Sequence, residues 1–321
     1  MLYKILTIGK NTFIETIRQP IYVVILTAAV LMFVVSPSIS MYTLDEDVKL
    51  LREIGLSTLF LMGLFIAIFS ATSAVTEEIE TKTITTILSK PIQRPTFIFG
   101  KFLGLSAAVA IAHFIGTVAM LMTIRHGVLS TASDTHDWTV IIAASGTVLL
   151  TLILTALFNY IYDWNFAATI TSLLVFFCAI AITILSLIDR DFKFNPANSQ
   201  INLFDINASV LILQAVLVLV AIAVMFSTRM NVVLTLISSV SVFLLGLISD
   251  YLFGKYADQH IWAKVGRMLI PNLQVFWVSD AIYEGSNVSL HYIGITSAYA
   301  GIYTLGILLL AIALFQRRQV G

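Results

Sequence analysis

An all-α integral membrane protein of about eight transmembrane helices, with an N-terminal interfacial helix and a further short helix on the cytoplasmic side, is the fold class this sequence predicts, and three observations carry the membrane assignment. Hydrophobic residues fill 59% of the 321 positions and charged residues only 11%, where soluble chains run at roughly 45–50% apolar and 25% charged. The mean hydropathy is +0.96. The apolar residues are also gathered into runs of about 20, the length a helix needs to cross a hydrocarbon layer about 30 Å thick. The 18 basic and 18 acidic side chains cancel, so no overall field points to nucleic acid as a partner.

Taken in order, residues 2–18 place Leu2, Ile5, Leu6, Phe13 and Ile17 at helical spacings, with Lys4, Lys10, Glu15 and Arg18 elsewhere around the turn. This predicts an amphipathic helix over 1–19 lying on the cytoplasmic membrane surface, or else a plain lead into the first crossing. A secretory signal needs an uninterrupted apolar core, so this charged segment is expected to be retained. Residues 20–321 then read as a single transmembrane domain with crossings at roughly 21–37, 56–76, 102–124, 139–161, 166–188, 208–227, 231–250 and 292–315. The fourth and fifth meet at the short turn YDWN, the sixth and seventh at STRMN. An even count keeps both termini on one side.

Lysines and arginines choose that side. With the N-terminus cytoplasmic, the inner segments hold Lys4, Lys10, Arg18, Lys82, Lys90, Arg94, Lys101, Arg229, Arg317 and Arg318 against Glu15, Glu77, Glu78, Glu80 and Asp163, a positive excess, and the outer segments carry the acidic excess. The expected location is the cytoplasmic membrane of a bacterium or archaeon, multi-pass, with both termini inside. Three outer loops follow, 38–55, 189–207 and 251–291. In the first, Leu44, Val48, Leu51 and Ile54 predict a short amphipathic helix outside the membrane. The second is polar and turn-rich. The third mixes Trp262, Phe276, Trp277 and Tyr283 with Lys264, Arg267, Asp280 and Glu284; it predicts short interfacial helices or an ordinary folded loop.

Catalytic chemistry is not written in the motifs. The phosphate-cradling pattern G-x-x-x-x-G-K-[ST] is absent, and Gly9-Lys10 and Gly100-Lys101 lack both the earlier glycine and the following hydroxyl. H-E-x-x-H, paired Cys-x-x-Cys and G-x-S-x-G are missing too. Cys178, the single cysteine, sits in an apolar run as expected for buried filler. His113 is the one ionisable group well inside a crossing; it is either a neutral histidine bonded to a neighbouring helix or a proton relay. His126, His136 and Asp134 cluster near the outer end of the third crossing without the spacing of a metal site.

The longest charged interruption on the inner side is 77–101, EEIETKTITTILSKPIQRPTFIFGK. Glu77, Glu78 and Glu80 gather where a short helix would begin, favoured there by free amides and the helix dipole, and Pro91 would end it. Ile84, Ile87 and Leu88 fall at i, i+3 and i+4, an apolar face too small to hold a helix alone in water, so the segment wants a groove.

The pattern Glu78-x-Glu80-x-x-Thr83, Leu88-Ser89-x-Pro91-Ile92-x-Arg94, Gly100-Lys101-x-x-Gly104 resembles the motif of permease subunits of ABC type-2 transporters. The resemblance implies a non-catalytic transmembrane subunit that couples ATP hydrolysis on a separate nucleotide-binding subunit to export of a substrate. ATP and Mg are then expected on that partner, with no cofactor or metal on this chain. A second permease chain, identical or related, and membrane lipid are the other implied partners. Glu78, Glu80, Thr83, Ile84, Ile87, Leu88, Ser89, Pro91, Arg94, Gly100 and Lys101 become the candidate ATPase-coupling interface. The segment would be a coupling helix; Arg94 would act near the helix end or against an acidic partner or a lipid phosphate, and Lys101 would mark the return to the membrane surface. Gly100 and Gly104 also form a small-x-x-x-small pair suited to close helix packing. Two other functions fit parts of the sequence: a membrane anchor for a motility or secretion machine using the same ATPase docking, and a membrane-embedded lipid-acting enzyme relying on His113.

Overall fold

The computed structural model describes residues 2–41, 47–78, 93–129, 135–257, 259–278 and 288–316. The described elements are α1 (Leu2–Arg18), α2 (Pro20–Ser40), α3 (Asp47–Ala71, continued by a π-helical turn Thr72–Glu77), α4 (Arg94–His126), α5 (Trp138–Tyr162), α6 (Phe166–Leu187), α7 (Leu203–Ser227), α8 (Val232–Leu247), α9 (Ser249–Phe253), α10 (Ile261–Leu269) and α11 (Leu290–Gln316). Short 3-10 turns lie at Pro196–Asn198, Gly254–Tyr256 and Gln274–Phe276. Among the described residues, 7 helices are long and apolar enough to cross a membrane; α8 with the short helices after it, bent by 68°, makes an eighth if the pair counts as one span. The chain is an all-α, multi-pass membrane protein.

Helix starts and stops follow from local chemistry. Pro20 opens α2 after the extended Gln19, a position where the missing amide costs nothing. The Asp137 carboxylate accepts from the Thr139 and Val140 amides at the head of α5, Asn165 caps α6 through the Ala168 amide, and Asn231 caps α8 through Leu234. The YDWN turn closes on Asp163, left-handed at φ 54°, where a short polar side chain is tolerated. YDWN and STRMN thus each separate two distinct helices.

Three boundaries differ from the sequence expectation. Residues 47–55, expected as a separate helix in the outer loop 38–55, form the first turns of α3, because their helical periodicity runs on through Gly55 into the crossing with no proline between. Residues 94–101, expected within the coupling loop 77–101, are the first two turns of α4, with Pro95 near the helix start. The seventh crossing ends at Leu247 and the chain turns sharply into α9. The loop 251–291 does carry short helices, and α10 exposes Ile261, Trp262, Val265, Met268 and Leu269.

The chain divides into two compact units. One comprises residues 1–16, 63–109 and 210–321; the other 17–62 and 110–209. Helices of low burial invert the pattern of a soluble protein. α5 and α8 bury Thr147, Thr151, Thr155, Thr235 and Ser239 and expose Ile142, Leu149, Ile153, Val233 and Ile237. Lipid is as apolar as leucine, so small and hydroxyl side chains face neighbouring helices, where they allow close approach. The α7 span is 72% buried against 22% for α5.

In the first unit α1 lies directly on α4. A Cβ at Gly104 would overlap the carbonyl oxygen of Gly9 and approach Thr12 Cβ to 2.7 Å, and a Cβ at Gly100 would meet Ile8 Cβ at 2.7 Å. Gly104→Val is therefore expected to destabilise the protein by about 1–3 kcal/mol through overpacking. Gly146→Val, at a position with nothing within 4 Å, should leave the thermal midpoint of the purified chain unchanged.

Candidate coupling site

Of the eleven candidate coupling residues, Glu80, Thr83, Ile84, Ile87, Leu88, Ser89 and Pro91 lie outside the described residues, and Glu78, Arg94, Gly100 and Lys101 lie within them. The last four belong to one packed cluster of the first unit, built where α3 ends and α4 begins. Lys101 is packed into this cluster. Its side chain is 4% exposed and its Nζ donates to Glu78 Oε1 at 2.7 Å, while Phe97 one turn earlier offers its ring face at 5.6 Å. Residues 97 and 101 stand one helical turn apart, so ring and ammonium share a face.

Arg94 is held at the end of α11. Its guanidinium donates to the main-chain oxygens of Phe315 at 2.5 Å and Gln316 at 2.7 Å, and lies 5.3 Å from the Phe315 ring centroid. Arg229 donates to the Leu314 oxygen at 2.9 and 2.6 Å. The final carbonyls of a helix have no partner within it and carry the negative end of its dipole, so two arginines close the C-terminus of α11 in place of a further turn. Phe97 and Phe315 stack at 5.6 Å. Thr76, in the π-helical turn, donates to Ser227 O at 3.2 Å at the end of α7. Gly100 supplies the space for Ile8 of α1.

The electrostatics of Glu78 mark it as the stressed member. Burial pushes its carboxyl above the ordinary range, and the neighbouring Glu15 adds to the push, against the lowering effect of Lys101. In that window the folded state binds more protons than the unfolded, so the penalty on stability appears as the pH rises through it. Lys101→Met would leave Glu78 without its cation and is expected to cost about 1.5–3 kcal/mol; adding Glu78→Gln should recover most of the loss, read as thermal midpoints of single and double variants.

Against this geometry, a family model described as ABC-2 family transporter protein matches residues 6–190, more than half of the chain. The chain belongs to the ABC-2 transporter family. No individual curated protein matches it closely enough to add to that assignment. As an ABC-2 permease it is the membrane component of an ABC transporter, of a family that works with an ABC ATPase.

Three of the five histidines of this permease fall in two settings. His113 is buried in α4, with Nε2 2.9 Å from both the oxygen and the hydroxyl of Ser209, and Thr117 is 2.6 Å from the same hydroxyl. The ring is thus bonded to a neighbouring helix, and among the described residues no second ionisable group is hydrogen-bonded to it. His126 and His136 are together, Nε2 and Nδ1 3.4 Å apart. Among the described residues no three His, Cys, Asp or Glu side chains converge to hold a metal; Asp134 lies outside them. Cys178 is a buried free thiol.

A second ionic cluster of the ABC-2 chain carries no motif. Arg125, in the last turn of α4, and Asp137, the cap of α5, are 2% and 0% exposed and meet at 3.2 Å. Arg125 also donates to Thr139 Oγ1 and Ile188 O at 2.9 Å and to the Leu185 oxygen, closing the end of α6. Arg190 lies 3.6 Å from the same carboxylate and donates to the Arg125 oxygen at 2.9 Å. The signal was an Asp immediately before a Trp-Thr-Val helix start, which is a capping signature; its arginine partner 12 residues earlier carries no spacing rule.

Proposed function

We propose that this permease is the non-catalytic transmembrane subunit of an ATP-driven exporter, in which 79–92 docks into a groove of a separate ATP-binding subunit. Two permease chains, identical or related, pair in the cytoplasmic membrane with both termini and the docking segment inside. Hydrolysis occurs on the partner, which holds ATP and Mg.

What carries this reading is the way 79–92 is tethered. Glu78 leaves α3 bonded to Lys101 of α4, and Arg94 enters α4 bonded to the end of α11. A push on the segment therefore acts on α3, α4 and α11 together through charge-assisted hydrogen bonds, the strong kind. Its own greasy face of Ile84, Ile87 and Leu88 supplies the surface for a groove. Expressed with its ATPase, the chain is expected to co-purify with it, and Glu80→Lys to weaken that co-purification while membrane insertion is retained. Unchanged recovery of the ATPase with Glu80→Lys and with Ile87→Asp would count against docking through this segment.

A further inference from the structure

The second unit contains a cavity of about 690 Å³ walled by α2, α4, α5 and α6, within the range of roughly 300–1,000 Å³ typical of sites for drug-sized molecules. It is apolar along most of its length. Two of the four hydroxyls in its lining are engaged by helix main chain: Thr123 donates to Phe33 O and Ala119 O, and Ser145 to Ile141 O. Polarity is concentrated at one end, where His126 and His136 line the wall. Three lining residues, Val34, Met41 and Val148, are also 69%, 54% and 42% exposed. They belong to helices long enough to span the bilayer or to the turn ending one, so the opening is lipped by side chains of lipid-facing type.

The imidazole pair narrows the head of an occupant. His126 Nδ1 lies 3.1 Å from the Gly127 oxygen and His126 Nε2 3.4 Å from His136 Nδ1. The neutral tautomers that satisfy both contacts put protons on the two Nδ1 atoms and leave His136 Nε2 as an acceptor. An acid head completes the row by sharing its proton with that nitrogen, as a neutral O–H···N bond or as imidazolium and anion. An ester head brings no proton to share.

We propose that this cavity binds a single-chain membrane amphiphile with an acidic head, a carboxylic acid or a phosphate monoester, its chain along the apolar wall and its head against His136. The lipid-type lips make the bilayer its source. The proposal rests on the chain being embedded in a membrane and on none of the ATPase coupling.

The test uses the full chain in membranes with its ATPase, photolabelled by diazirine-bearing palmitate. Labelled peptides are expected within 30–41, 115–129 and 140–148. Unlabelled palmitate and lysophosphatidate should each suppress them, the more potent of the two identifying the preferred head, and methyl palmitate should compete about tenfold less well than palmitate, about 1.4 kcal/mol. His136→Phe should erase the difference between acid and ester. Ala144→Trp, which fills the cavity, and Val34→Trp, at the exposed lip where folding is not at stake, should each abolish the cavity label. Label spread evenly over lipid-facing positions such as Leu305 and Leu309 and unchanged in both Trp variants would overturn the site. Equal competition by acid and ester in the native chain would overturn the head assignment. Cavity peptides labelled only after dispersal to single chains in detergent would assign the space to a second copy instead.

Discussion

Asp137→Ala is expected to be among the most destabilising single substitutions in this permease, by about 3–5 kcal/mol. The carboxylate is fully buried and is the anion facing two guanidiniums, Arg125 at 3.2 Å and Arg190 at 3.6 Å. Removing it strands Arg125 in the interior, where an uncompensated charge is far costlier than the pair. It also removes the cap of α5, about 1 kcal/mol by itself. The thermal midpoint of the purified protein reads the effect. Arg125→Leu with Asp137→Leu is expected to cost much less than Asp137→Ala alone, since no buried charge remains unpaired; equal losses would refute the ionic account. Acid reads the same pair. Burial by itself would raise the Asp137 carboxyl, but the Thr139 hydroxyl, the Val140 amide and Arg125 outweigh it and hold the group below the ordinary range. The unfolded state therefore binds more protons, and the contribution is complete above about pH 4 and lost as the pH falls through the folded value. Asp137→Asn should flatten that part of the acid profile.

Sequence and structure agree most where one physical rule acts alone. Apolar runs located the spans, though not the starts of α3 and α4, because the bilayer demands length. YDWN and STRMN were legible as turns because Asp163, Asn165 and Asn231 act locally. The α3 and α4 starts were misplaced because a helix that leaves the hydrocarbon continues in water as long as its own periodicity does, and polarity marks only the membrane edge. Tertiary partners were out of reach. Lys101 and Arg94 stood out as charges in a motif, yet one is tied to Glu78 and the other to the carbonyls of Phe315 and Gln316, 221 and 222 positions away. Gly100 and Gly104 announced close packing without announcing α1 as the neighbour.

Deleting 80–90 is expected to remove stimulation of the partner ATPase while the remaining chain inserts and folds. The anchoring contacts of Glu78, Arg94, Phe97 and Lys101 lie outside the deletion, so the packed cluster has its own support. A short glycine-serine bridge keeps the ends within reach of each other. The effect on stability should be small and the effect on coupling complete, because a segment with so little apolar surface contributes mainly through what it touches. ATP hydrolysis by the partner subunit, measured in vesicles with the intact chain and with the bridged deletion at equal surface amounts, tests the coupling account most directly. The account predicts stimulation by the intact chain and basal hydrolysis with the deletion; full stimulation by the deleted chain would contradict it.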